Sequence, residues 1–410
     1  LHDALPISIG LVVLTALYTI FGGMKSVLYT SVLQTPILLL GSLIILVLGF
    51  KELGGWDEMM RVCGAVTVND YGDTMTNLIR SNDDANFPWL GALIGSAIIG
   101  FWYWCTDQFI VQRVLSGKNE KEARRGTIFG AYLKLLPVFL FLIPGMIAFA
   151  LHQKYIGAGG EGFLPMLANG TANADAAFPT LVAKLLPAGV KGLVVCGILA
   201  ALMSSLASLF NSSAMLFTID FYKRFRPETP EKKLVGIGQI ATVVIVILGI
   251  LWIPIMRSVG DVLYTYLQDV QSVLAPGIAA AFLLGICWKR TSAQGGMWGL
   301  IAGMIIGLTR LGAKVYYSNA GEVADSTFKY LFYDMNWLFF CGWMFLFCII
   351  VVIVVSLATE APTAEKIQGL VFGTATKEQK AATRASWDHW DIIHTVIILA
   401  ITGAFYWYFW

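Results

Sequence analysis

Charge is scarce in this sequence. Acidic and basic residues make up 13% of its 410 positions, while 57% are hydrophobic. Soluble domains carry about 25% charged residues, so a water-soluble globule is excluded. Histidine is scarcer still: His2, His152, His389 and His394 do not cluster. The six cysteines (Cys63, Cys105, Cys196, Cys287, Cys341 and Cys348) are scattered through mostly apolar runs, without CxxC or Cys/His spacing. That leaves no metal-ligand or redox motif, and small apolar filling is their expected role. GxxxxGK(S/T), GxSxG and HExxH are all missing, and with them the usual signatures of nucleotide hydrolysis and of common hydrolases. No enzyme is expected. The formal net charge of +2 singles out no partner, and nucleic acid is not expected as one.

What the chain has in abundance is apolar length. Ten segments approach the ~20 residues needed to cross a bilayer: 8–21, 27–50, 88–112, 127–151, 187–218, 234–256, 261–288, 294–312, 337–358 and 390–409. Several exceed a single span, so tilt or a break is expected, with Pro144-Gly145 and Pro276-Gly277 as the interruption points. Loop charge sets orientation. RVLSGKNEKEARRG (113–126), YKRFRPETPEKK (222–233) and Lys289-Arg290 fall in every second loop and read as cytoplasmic. The loops at 51–87 and 152–186 are poorer in base and read as outside, which leaves Trp410 outside. The mixed-charge segment 359–388 reads as a cytoplasmic linker. The expected fold class is all-α and polytopic: one transmembrane domain over 8–410 in the plasma or inner membrane. Leu1–Ile7, LHDALPI, is what the end of a widely used sequencing adapter encodes. These seven residues are expected to be adapter-derived, with the true chain continuing upstream.

Polar residues inside such spans are costly and mark functional candidates. From Cys196 to Asp220 a helical period puts Ala201, Ser204, Ser205, Ser208, Asn211 and Ser212 on one stripe. Hard hydroxyl oxygens suit a small cation such as Na⁺, while small residues equally serve close helix packing. Lys134 lies within GAYLKLLPVFLFLIPGM, at a depth from which snorkelling to the interface is also feasible. Asp107 and Gln108 lie in GFWYWCTDQFIVQR, where Asp107 is a candidate partner for Lys134. Gln268 and Asp269 lie in VLYTYLQDVQSVLAPG. Trp102, Tyr103 and Trp104 offer flat faces for an apolar ring side or a gate.

Four blocks, WYWCTDQFIVQRVLSGKNEKEA, GAYLKLLPVFLFLIPGM, ALMSSLASLFNSSAMLFTIDFYKRF and APGIAAAFLLGICWKRTSAQGGMWGLIAG, resemble the sodium/glucose cotransporter branch of the sodium:solute symporter family. The resemblance runs from about Leu14 to the C-terminus. It implies the five-plus-five inverted-repeat transporter fold, lacking its first helices here and with extra C-terminal helices. It implies symport of a glucose- or galactose-like hexose with Na⁺ as coupling ion. By motif position, Ser204 and Ser205 resemble side-chain Na⁺ ligands and Ala201 a carbonyl ligand. Tyr103 resembles the aromatic gate, with Trp104 beside it, and Lys134 and Gln268 resemble residues that bond sugar hydroxyls. Three positions depart from the pattern. Gly100 replaces an Asn of bacterial galactose carriers, Ser31 replaces an Asp, and Ala207 replaces the Thr of two-sodium members. The last two imply one Na⁺ per sugar. The first core helix is expected upstream. Another small solute, or a non-coupling sensor or channel, stands as the alternative reading.

Overall fold

Helices dominate because nearly every segment is too apolar to leave backbone groups unpaired inside a bilayer. The structure, a computed structural model, describes residues 4–167, 170–256, 263–319 and 324–410; among these, the side chains of 4–8, 18, 21–28, 30, 31, 33, 252–256, 263–266 and 319 are outside the description. The long helices, with the short α3 that continues α2, are α1 (Ala4–Leu53), α2 (Trp89–Cys105), α3 (Gln108–Leu115), α4 (Glu120–Pro137), α5 (Ile143–Gly157), α6 (Ala188–Met215), α7 (Glu231–Met256), α8 (Leu263–Cys287), α9 (Ala293–Asn319), α10 (Trp337–Ala358) and α11 (His389–Tyr408). No strand occurs among the described residues, only three isolated bridges in loops. Eight helices are long and apolar enough to cross a membrane, or nine with the bent pair α2–α3 taken as one span.

Three expectations about interruptions need correction. The spans expected at 8–21 and 27–50 are one helix, α1, of 50 residues. Gly22-Gly23 lies between them, but glycine only weakens a helix, by about 1 kcal/mol each. Within α1, Gln34–Leu53 has spanning length and apolarity. Pro276 does not break α8, which runs through it; the small residues Ala275, Ala279 and Ala280 around it are fully buried, and neighbouring helices hold the weakened point. Pro144 likewise sits within a continuous rod. The lattice adjusts just before it, in a π-helical turn at Val138–Leu142 that accommodates a residue without an N–H.

The chain forms two compact units. In the first, 1–66 with 132–262, α1 lies along α6, and α7 covers α6. Small residues set that approach. A methyl on Gly41 would meet Val194 Cγ2 at 2.6 Å, and one on Gly197 would meet Ile37 Cγ2 at 3.1 Å. Ala16, Phe210 and Val246 join α1, α6 and α7 in one buried cluster.

In the second unit, 67–131 with 263–410, α8, α9 and α10 pack against one another, and α2 lies against α8 and α10. Ile98, Ile99, Ala275, Ala279, Trp337, Leu338 and Cys341 form one core, and Val273, Ala280, Phe340, Met344 and Cys348 another. One face of α9 is a glycine stripe at four-residue spacing. Methyl groups there would stand 2.3 Å from Val352 Cγ2 (Gly299), 3.0 Å from Gly277 Cα (Gly303) and 2.5 Å from Val273 O (Gly307). Lipid gives helices no hydrophobic reason to associate, so this closeness is what dispersion works through.

Contacts within the second unit bear on the loop assignment. Arg125 pairs with Asp388 at 3.5 Å, and Arg124 donates to Ser386 Oγ at 3.0 Å. Arg290 donates to Thr359 O at 2.6 Å, capping the end of α10. The three basic loops of this unit therefore share one face. On the other face, Asn77 Nδ2 donates to Trp410 O at 3.1 Å and Asn336 Nδ2 to Ala85 O at 2.7 Å. The loop before α2 thus lies with the end of α11, as alternation of loop charge requires.

That loop is built round a buried carboxylate. Asp84 is 4% exposed and accepts from the N–H groups of Phe87 (2.7 Å) and Asn86 (2.9 Å) and from Asn69 (3.2 Å), with Arg80 3.6 Å away. Burial alone would raise its pKa, but these donors and the Arg80 charge together hold it below the usual carboxylate value.

Candidate functional site

The hydroxyl row lies on α6, which carries only small and apolar residues between Gly192 and Met215 apart from its serines and Asn211. Ser204, Ser208 and Ser212, four residues apart, are buried at 7%, 0% and 3% exposure. Ala201 and Asn211 are half-buried, and Ser205 is exposed. The predicted stripe is therefore a buried edge of three serines with Ser205 on the next row. Ser212 Oγ donates to Leu209 O at 3.0 Å, the back-bond open to a helical serine. Ala207 is fully buried. Lys134, on α4 in the same unit, is exposed. The side chain of Ser31 lies outside the described residues.

The second unit holds the aromatic trio and Gln268. Tyr103 is half-buried and Trp104 is 47% exposed. The Tyr103 ring meets Trp104 edge-on at 5.2 Å and Trp102 at 6.3 Å. Immediately after them the chain bends by 49° between α2 and α3, with neither glycine nor proline at the bend. Thr106 Oγ1 donates to Trp102 O at 2.7 Å, and the backbone N–H groups of Thr106 and Asp107 both turn to the same oxygen. Asp107 then caps α3, accepting from Phe109 N at 3.0 Å. The residue expected to seek Lys134 thus spends an oxygen on starting a helix. Irregular backbone at membrane depth occurs where it is covered by protein or lines a cavity. One turn before the trio, a methyl on Gly100 would meet nothing within 4 Å.

Gln268 is half-buried on α8. Beside it the structure gathers charges that reading the sequence missed. Asp269, 9% exposed, forms ion pairs with Lys314 and with Arg310, the latter at 3.5 Å. Arg310 has no exposed surface. It donates to Met335 O at 2.8 Å and Leu331 O at 3.4 Å, and its guanidinium stands 4.0 Å from the Phe340 ring centroid. The available signal was the four-residue spacing of Arg310 and Lys314 in LTRLGAKV, which puts two cations on one helix face.

Of the residues singled out from sequence, Ala201, Ser204, Ser205 and Lys134 belong to the first unit, and Tyr103, Trp104 and Gln268 to the second. Comparison with known proteins adds the family. The sodium:solute symporter family model matches residues 4–303. The sodium/mannose cotransporter SLC5A10 of Bos taurus is 36% identical, over 97% of this chain and 70% of its own length. The sodium/myo-inositol cotransporter 2 of Homo sapiens is 36% identical, over 89% of this chain and 56% of its own. The sodium/glucose cotransporter 1 of Ovis aries is 38% identical, over 85% and 55%. The chain thus spans little more than half of the last two. Among solved structures, a Na⁺-coupled sialic acid symporter in a substrate-bound outward-open state superposes with a TM-score of 0.65. It is 21% identical and is covered to 66% of its length by 86% of this chain. The likeness shows a shared fold, and the relatives are carriers rather than enzymes. This multi-pass membrane chain belongs to the sodium:solute symporter family.

Proposed function

We propose that the chain works as a sodium-coupled symporter of a neutral, polyhydroxylated six-membered-ring solute, a hexose or a close relative, in the plasma or inner membrane. The observation that carries this is the character of the relatives. Three of them are described as cotransporters of mannose, myo-inositol and glucose with sodium. Those three solutes share a compact ring studded with hydroxyls and no charge. A pocket for such a ring needs donors and acceptors at its rim and a flat apolar surface beneath it. Within the second unit, Gln268 supplies the first, and Tyr103 with Trp104 the second.

Sodium is the second substrate. It has to shed water, so it needs replacement oxygens, and these must hold it weakly enough to let go on the far side. Ser204 and Ser205 with the Ala201 carbonyl are the oxygens we assign. No covalent chemistry enters. The Na⁺ gradient drives uptake, and coupling arises because ion and solute favour the same conformation, so that each raises the affinity for the other. Gly100, with open space at its Cα, offers no side chain to the ring, which supports a substrate other than one held by an asparagine there.

The test is uptake of labelled mannose, glucose and myo-inositol into proteoliposomes under an inward Na⁺ or K⁺ gradient. Na⁺-stimulated uptake of at least one is expected. Ser205→Ala should raise the Na⁺ concentration for half-maximal uptake with the protein still inserted. Uptake indifferent to Na⁺ would overturn coupling, and an unchanged Na⁺ dependence in Ser205→Ala would return that serine to packing.

A further inference from the structure

One charge cluster, buried at Arg310 and Asp269 and half-buried at Lys314, is left unused by that reading. The Asp269 carboxylate lies between two cations of α9: Lys314 is paired to Oδ2, and Arg310 Nη2 stands 3.5 Å from Oδ1. Arg310 is itself anchored to uncharged backbone at Met335 O and Leu331 O and to the face of Phe340. One carboxylate and two cations leave a net positive charge near the ends of the candidate spans Leu267–Cys287 and Ala293–Ser318, with Arg310 buried and the Lys314 side chain 33% exposed. Apolar residues of similar size would pack the same space at lower cost, so packing does not account for the arrangement.

The backbone indicates what the cluster holds. Pro276 lies seven residues beyond Asp269, within α8. It lacks the N–H that would reach Ser272 O, so the part of α8 before it is joined to the rest by one bond fewer. The helix stays continuous, but with one bond fewer its first half turns about the axis more readily, and contacts from outside limit how far. α9 restrains it at two places, by packing Gly307 against Val273 and, nearer Gln268, by the ion pairs of Asp269. Gln268 precedes it by one position, about 100° round the helix, so fixing the direction of Asp269 fixes that of Gln268.

We infer that Asp269, Arg310 and Lys314 form a positioning triad that holds the half of α8 before Pro276 and so aims Gln268 at the substrate ring; this rests on reading Gln268 as a sugar-binding residue. The three do not touch the solute. They act through Gln268.

The experiment uses the full chain in membranes. Asp269→Asn alone leaves two cations facing a neutral amide, so poor insertion is expected. Asp269→Asn with Lys314→Gln returns the net charge to that of the native cluster while the carboxylate tether is gone. This double variant is expected to insert normally. Its first readout needs no transport. A cysteine is placed at position 268 (Gln268→Cys), and its rate of reaction with a hydrophilic maleimide is measured above that of the matching protein that keeps Gln268. Losing the tether should change that rate by about threefold or more as other orientations gain population, and Asp269→Glu should restore it. An unchanged rate overturns the triad, whatever the protein transports.

The second readout is Na⁺-dependent uptake. In the double variant the half-saturating sugar concentration should rise by about two- to tenfold, the effect of one lost hydrogen bond, while the half-saturating Na⁺ concentration and the maximal rate hold. Normal sugar affinity in a well-inserted double variant overturns the aiming role. Failure of the unmodified protein to take up mannose, glucose or myo-inositol overturns the sugar reading instead, and the cysteine rates still decide the triad.

Discussion

Replacing Gly307 with alanine tests whether α8 and α9 touch where the structure places them. The new methyl carbon would stand 2.5 Å from Val273 O and 3.3 Å from Val273 Cβ. Contacts shorter than 3.4 Å are already tight, so one helix must retreat by 0.9 Å, the difference between 3.4 and 2.5. The obstacle is a backbone carbonyl, which cannot swing aside as a long side chain can. Overpacking of this kind costs about 1–3 kcal/mol. Alanine also gains up to about 1 kcal/mol over glycine in a helix, so a single variant would blur the two effects. Gly312→Ala on the same helix supplies the control, since a methyl there meets nothing within 4 Å. The difference between the two variants removes the propensity gain and leaves the clash. Thermal melts of the purified protein in detergent should place Gly307→Ala several degrees below Gly312→Ala. Val273 lies five residues after Gln268 on α8, so Gly307→Ala should also weaken sugar affinity. Equal melting temperatures would mean slack between the helices, and the glycine stripe would then carry no packing energy.

Gln268→Ala should cost about 0.5–1.5 kcal/mol, or roughly two- to tenfold in half-saturating sugar concentration; an unaltered value would remove Gln268 from the site. Tyr103→Ala should weaken sugar binding while Tyr103→Phe stays mild, and equal damage from both would implicate the hydroxyl. Acid should open the loop before α2. Asp84 is held below its ordinary value, so its stabilising effect is present above about pH 4 and is lost as pH falls through its folded value. Protection of 69–88 against hydrogen exchange, corrected for the intrinsic rate at each pH, should therefore fall on acidification in the native protein and much less in Asp84→Asn, and identical profiles would refute it. Reversal potentials should give one Na⁺ per solute, and a value of two would require oxygens beyond Ser204 and Ser205.

Sequence patterning made the membrane class legible because a span needs about 20 apolar residues and little else. Alternating loop charge likewise foretold the loops that Arg125–Asp388 and Asn77–Trp410 bring together. Breaks were read less well. Proline was taken as the mark of interruption, yet α8 passes through Pro276, and the sharp bend falls at Thr106-Asp107. Both outcomes depend on what surrounds the backbone. Buried alanines and a neighbouring helix hold the proline, while a hydroxyl and a carboxylate offered alternative partners for the Trp102 carbonyl and the Phe109 N–H. The glycines at 295, 299, 303 and 307 were visible as letters, but their partners on α8 and α10 lie up to 61 residues away in sequence (Gly295 against Ser356). The same is true of Arg310, whose anchors Leu331, Met335 and Phe340 lie beyond the end of α9. The hydroxyl row was legible as a period, but which serines face inward was not, because that depends on where α1 and α7 lie.

The choice of hydroxyls rather than a carboxylate has an energetic consequence for such a carrier. One Na⁺ moving down about 100 mV yields about 2.3 kcal/mol, and a tenfold concentration gradient adds about 1.4 kcal/mol. Their sum, about 3.7 kcal/mol, limits accumulation of a neutral solute to about 500-fold. A second ion would square that limit, but it would need another set of oxygens. Ala207, a buried methyl on α6, brings no oxygen to such a set. A carboxylate would hold the ion more tightly, and tight holding slows release on the side where Na⁺ is dilute. Neutral oxygens give up affinity for faster release and leave the limit, which the number of ions sets, unchanged. A chain that keeps serines on α6 and places its one buried carboxylate of α8 between two cations has therefore separated two tasks. On the proposed assignment the ion would meet neutral oxygens, while full charges are spent on holding a helix in place.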